Sequence, residues 1–270
     1  MSAGARIRLL VVAAALAAAA VVAGVVYATR QDPVQPKALC GARPAPLLVP
    51  GVASKHAGAV RAAFRHGAKA AAIALESLAQ ESPNDPVVQF NEGTALYCAG
   101  YPLDAAAAFR RAKRAGRNTY YGIKADNLLH PQFFANGYPV FEYSGDDPLL
   151  VKGQLEQRRY HQVTAERLYA KAAQREPGNA EAQVAAAVGR FDMDDLSASF
   201  SRLGPLVRRF PRSQSVRFHL GLLLAWTGQR DLAVREFRAA RRLGPQTKLG
   251  QDSTAFLKGL SGGGTGVPKR

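Results

Sequence analysis

At 270 residues, with 47% hydrophobic and 21% charged side chains, the chain can form one or two packed domains and is not disordered throughout. Its 36 Lys and Arg against 20 Asp and Glu give a formal net charge of +16, the mark of a solvated basic surface or of an anionic partner. Two cysteines are too few for a disulfide scaffold or a four-thiolate zinc site, and the five histidines show no metal-ligand spacing, so neither metal nor cofactor is expected.

From Leu9 to Ala28 no residue is charged, and Ala, Val, Leu and Gly fill nearly every position. Such a run, at about 1.5 Å per residue, spans roughly the 30 Å of a hydrocarbon core. Residues 1–30 therefore read as a transmembrane signal anchor or as a signal peptide cleaved after Ala28, with Val26 and Ala28 as the small residues at the cleavage site. In both cases the bulk of the chain is placed outside the cytoplasm, as a single-pass membrane protein or a secreted one. Residues 31–50 carry Pro33, Pro36, Pro44, Pro46 and Pro50, a density that forbids helix and predicts an extended linker. Cys40 and Cys98 are a disulfide candidate in an oxidising compartment; the other reading is two unrelated thiols.

Beyond the linker almost nothing reads as a strand. Pro177, Pro211 and Pro245 stand 34 residues apart. Twenty-four positions before them are the small residues Gly153, Ala187 and Gly221, and eight positions before them the bulky Tyr169, Leu203 and Phe237. Gly93 and Phe109 repeat the pair upstream, and Pro83 closes an earlier Ala-rich stretch. The fullest copy is Leu220, Gly221, Leu224, Gly228, Ala233, Phe237, Ala240 and Pro245.

This pattern resembles the tetratricopeptide repeat, in which a small residue on helix A lets helix B approach and proline ends the unit. The resemblance implies an all-α, right-handed α-solenoid with an N-terminal transmembrane helix. Its repeat domain spans residues 51–260 in about five helix-turn-helix units, 52–85, 86–119, 146–179, 180–213 and 214–247, before a flexible tail at 261–270. Gly204 and Pro205 fall inside helix B of unit 180–213 and predict a kink there, and Thr254–Leu257 reads as part of a short capping helix.

Residues 120–145 interrupt the frame. They hold seven of the chain's 22 aromatic residues, among them Tyr120, Tyr121, Phe133, Phe134 and Tyr138. Two roles fit: a plug packed back onto the solenoid, or a lid over its concave groove. Carried over position by position, the resemblance nominates Phe64, Phe90, Tyr97, Leu150, Gln154, Arg158, Val188, Phe191, Phe218, Leu222 and Trp226 as groove-lining residues. So apolar a set suits a protein or peptide segment better than an acidic tail. The arginines gather on the second helices of the units, where solvent exposure is the plain reading. No nucleic-acid module accompanies them, and nucleic acid is not an expected partner.

No nucleophile elbow, phosphate-cradling loop, His-Glu-x-x-His or Cys-x-x-Cys is present. The chain therefore reads as a non-catalytic, membrane-anchored scaffold or adaptor that binds a polypeptide in the concave groove. Anchored repeat proteins of this kind assist envelope assembly, secretion or cytochrome maturation, and the resemblance supports the class rather than any one pathway. The rival readings are a secreted binding protein and an enzyme whose site lies in 120–145.

Overall fold

A computed structural model describes residues 37–41, 44–49, 52–131 and 138–261. The apolar run 9–28 lies outside them, as do Phe133, Phe134 and residues 262–270 of the tail. Among the described residues there are helices and no strand, and no helix is long and apolar enough to cross a membrane.

The helices pack against their sequence neighbours. The N-terminal part comprises α1 (Lys37–Cys40), α2 (Ala57–Ala63), α3 (Ala68–Glu81), α4 (Pro86–Cys98), α5 (Pro102–Ala115) and α6 (Tyr120–Leu129). The C-terminal part comprises α7 (Pro148–Arg158), α8 (Gln162–Arg175), α9 (Ala180–Gly189), α10 (Leu196–Leu203), α11 (Leu206–Arg209), α12 (Gln214–Trp226), α13 (Arg230–Leu243) and α14 (Lys248–Ser261). Pairs α4–α5, α7–α8 and α12–α13 form antiparallel hairpins, and α9 and α14 continue the packing from α8 and α13.

Local chemistry sets the starts. Asp85 and Asp147 each accept two backbone N–H groups of the following turn, with proline directly after them at the first helical position, where its missing N–H costs nothing. Asn179 caps α9 by accepting two N–H groups, and Ser213 caps α12 by accepting that of Val216. Within each hairpin the small residue faces a ring. A Cβ on Gly93 would lie 2.7 Å from the Phe109 ring, and one on Gly221 would lie 2.9 Å from Phe237. A Cβ on Gly153 would collide with Tyr169. Phe109, Tyr169 and Phe237 are all fully buried.

Three features differ from the sequence reading. Residues 120–129 are not loop but helix α6, whose N-cap Thr119 follows Asp85 by 34 residues, so the frame continues for one helix before it breaks. The turn that starts it runs Gly116, Thr119, Gly122: the Thr119 hydroxyl donates to the Gly116 carbonyl, and a Cβ on Gly122 would strike that carbonyl. The same turn recurs as Gly244, Thr247, Gly250 at the start of α14. Next, the capping helix to which Thr254–Leu257 belong is longer than the short one expected: α14 runs over Lys248–Ser261, with Phe256 stacked on Phe237 at 4.9 Å. Lastly, the 31–50 linker is not free of helix, since α1 forms at Lys37–Cys40 between its prolines, and Leu39, Leu47, Leu48 and Val49 pack against the core. Gly204 and Pro205 do separate α10 from α11.

Cys40 and Cys98 form a disulfide between α1 and α4, with Cα atoms 5.4 Å apart and a sequence separation of 58. Closing a loop of that length stabilises the fold by about 4 kcal/mol in the chain-entropy model. Replacing Cys98→Ser should therefore remove about that much stability in urea unfolding. Phe237→Ala should cost about 3–5 kcal/mol through the cavity it leaves between Phe218 and Phe256. An unchanged unfolding midpoint in either variant would remove that contact from the list of structural supports.

Candidate functional site

Non-helical backbone that enters a helical core carries N–H and C=O groups with no ladder to satisfy them. Two such segments lie on this fold. Residues 44–49 cross α4 and α6, where Asn91 brackets Leu47: its carboxamide oxygen accepts the Leu47 N–H at 2.7 Å, and its NH₂ donates to the Leu47 carbonyl at 3.0 Å. The Tyr121 hydroxyl donates to the same carbonyl at 3.1 Å and accepts the Val49 N–H at 2.9 Å.

The second segment, Tyr138–Tyr143, lies on α7 and α12. Gln157 accepts the Phe141 N–H and donates to the Pro139 carbonyl, each at 3.0 Å. Gln154 donates to the Phe141 carbonyl at 3.0 Å, and the Glu142 N–H donates to His219 Nε2 at 2.9 Å. Asn91 and His219 occupy the same position in units 86–119 and 214–247, so the two segments are held by equivalent points of two repeats.

Side chains complete the second grip. The Phe141 ring is fully buried, with centroids 5.3 Å from Tyr169, 5.1 Å from His219 and 5.7 Å from Tyr143. The Glu142 carboxylate is buried and faces Arg158 at 3.0 Å and Lys248 at 3.8 Å. Both cations reach in from a half-exposed rim.

His219 is locked as a neutral ring. Its Nε2 accepts from Glu142, so Nδ1 carries the proton and donates to the Ser215 carbonyl at 2.8 Å. Burial pushes its pKa down to about 4.

A charged clasp joins the two parts. Lys113 on α5 lies 2.8 Å from Asp126 on α6 and 2.6 Å from Asp194 in the loop before α10. His130 bridges the same carboxylates, with Nδ1 2.9 Å from Asp126 and Nε2 3.0 Å from Asp194. The Tyr138 hydroxyl donates to Asp126 at 2.5 Å, so the second segment ends in this clasp. Burial alone would depress the His130 pKa and raise that of Asp126. The hydrogen bonds and opposite charges outweigh it, holding His130 above its ordinary value and Asp126 below. Asp126, His130 and Asp194 are the metal-ligand-type cluster found among the described residues, with donor atoms within 4.8 Å of one another. Lys113 already supplies the cation between them, and a metal ion would have to displace it.

The sequence nominees divide sharply. Phe64, Phe90, Leu150, Val188, Phe191, Phe218, Leu222 and Trp226 are interior, none more than 7% exposed. They form core because neighbouring helices and the two segments cover the face that the family offsets treat as open. Tyr97 is half-buried, while Gln154 and Arg158 bond to Phe141 and Glu142 of the segment Tyr138–Tyr143. Tyr121 and Tyr138 are tied in by their hydroxyls, and Tyr120 meets Tyr160 edge to face at 4.8 Å. Asn91, Gln157, His219, Lys248 and, Tyr138 apart, the clasp were missed. The Asp126 to His130 spacing of one helical turn was the only local signal for any of them.

No known protein family and no curated protein matches this chain.

The two histidines make stability depend on pH in opposite directions. His219 has a folded pKa below the ordinary 6.5, so its contribution is complete above that value and is lost as pH falls toward about 4. His130 has a raised pKa, so its contribution is complete below 6.5 and is lost as pH rises through the raised value. Urea unfolding across pH should show His219→Asn losing the acid-side slope and His130→Gln losing the slope above 6.5. Retention of both slopes would contradict the assigned protonation states.

Proposed function

We propose that the chain is a non-catalytic, tetratricopeptide-repeat-like scaffold, a right-handed solenoid that holds polypeptide in non-helical form on the first helices of its units. We further place it outside the cytoplasm, tethered by the apolar N-terminal run. The 34-residue pattern, the paired helices and the small-residue-against-ring contact of each hairpin support the repeat reading. The Cys40–Cys98 bond supports an oxidising compartment.

One observation carries the binding function. Side chains of α7 and α12 satisfy four main-chain groups of Tyr138–Tyr143, at Pro139, Phe141 twice, and Glu142. Hydrogen bonds to main chain are what a groove needs to hold polypeptide of varied sequence, and repeat scaffolds present such surfaces along their length.

The test is exchange. Protease sites placed at exposed Pro131 and at exposed Ser144–Asp146 would free the segment without removing it. A fluorescent peptide copying residues 138–143 should then enter the groove, with a rise in anisotropy and loss of the unlabelled fragment by native mass spectrometry. Helices that persist in circular dichroism without any uptake of peptide would refute the groove. Helices that melt when the fragment leaves would make the segment core and end the proposal equally.

A further inference from the structure

Resting on the groove reading above, we propose that the C-terminal groove is a recognition slot for a polypeptide partner carrying an aromatic residue followed directly by an acidic one, and that Phe141 and Glu142 of the chain itself fill it until that partner arrives.

The slot is built for those two side chains in particular. Phe141 enters a socket walled by Tyr169 and His219. Glu142 meets Arg158 and Lys248, which come from different helices, α7 and α14. Burying a carboxylate between cations gives little net stability over an apolar side chain of the same size, so a segment needed only as filler gains nothing from it. What such a pair supplies is discrimination: an unmatched residue leaves Arg158 facing a ligand without charge, whereas Lys248 keeps its own partner Asp252. The half-exposed positions of the two cations let an incoming carboxylate reach them from solvent.

The two segments also differ in how they are held. Residues 44–49 follow closely on Cys40, which is bonded to Cys98 on α4, so that groove is closed covalently. Tyr138–Tyr143 is held by hydrogen bonds, one ion-pair cluster and ring contacts alone, and residues 144–146 beside it are exposed. Only the second groove can exchange its occupant without chemistry. The strap competes at the high effective concentration of a tethered ligand, so a partner binds the intact protein more weakly than the cleaved one.

The experiment uses the full chain cleaved at Pro131 and at Ser144–Asp146, titrated with three labelled peptides: residues 138–143, the same with Phe141→Ala, and the same with Glu142→Gln. The Ala peptide should bind at least about 100-fold more weakly, from loss of a buried ring. The Gln peptide should bind about 10-fold more weakly, and that gap should close in protein carrying Arg158→Gln. Equal binding of all three peptides would overturn the inference while leaving a main-chain groove in place. Failure of the unaltered peptide to bind would instead sink the groove itself. Uncleaved protein that exchanges straps between copies and elutes as a dimer would assign the slot to a second copy and overturn the external partner.

Discussion

Where Gly93, Gly153 and Gly221 omit a side chain, the rings of Phe109, Tyr169 and Phe237 lie against helix backbone, and this contact fixes how closely the two helices of a hairpin can pack. Tyr169 serves two units at once, since a Cβ on Gly189 of the following helix would lie 2.8 Å from the same ring. A ring held between two backbones sets the pitch from one unit to the next, because neither glycine can be enlarged without moving a helix. Phe237 passes the constraint on by stacking on Phe256 at an interplanar angle of 7°, which seats α14 as the end of the row. Each unit thus depends on its neighbour for the other half of its core.

That close packing creates the demand the grooves answer. With the hairpins drawn together, segments that leave the helical frame must run over their faces, and every buried amide on them needs a partner. The fold supplies carboxamides and an imidazole, groups that can accept and donate at once: Asn91 at Leu47, Gln157 at Phe141 and Pro139, His219 at Glu142. For His219 the double duty requires a neutral ring, and complete burial enforces it. The polar residues of the interior are placed where backbone would otherwise be unsatisfied. They include Gln89, whose side chain donates to the Ala79 and Ser82 carbonyls at the end of α3.

The parts of the fold that were legible in the sequence are those written in a period. Gly with a ring sixteen residues on, and Pro eight beyond the ring, is a local signal repeated at fixed spacing, so it survives without knowledge of the rest. Helix α6 was read as part of the interruption because its aromatic residues masked a helix start that falls on the 34-residue frame at Thr119. The groove was only half legible. Gln154 and Arg158 stand at family offsets and do grip a segment, yet Phe218 and Trp226 stand at comparable offsets and are core. The difference is made by residues 138–143, which fold onto helices up to 77 positions away, and no local pattern announces a contact of that range. Lys113 and Asp194 of the clasp are likewise 81 residues apart.

Tyr138 belongs to both the clasp and the strap, which links the two thermodynamically. Its hydroxyl is one of three donors that hold the Asp126 carboxylate charged in the interior, beside Lys113 and His130. Its ring packs on Phe191, which in turn meets Trp226 at 6.4 Å. Lifting the strap therefore withdraws a hydrogen bond from a buried charge and uncovers Phe191 in the same movement. Without that phenol Asp126 keeps two donors, and the join between the N-terminal and C-terminal parts is weaker by that interaction. Linkage works in both directions, so whatever loosens the clasp also weakens the strap's hold on its groove. The clasp thus does more than fasten α5 and α6 to the loop before α10; in the exchange proposed above it would set the starting affinity against which another occupant competes.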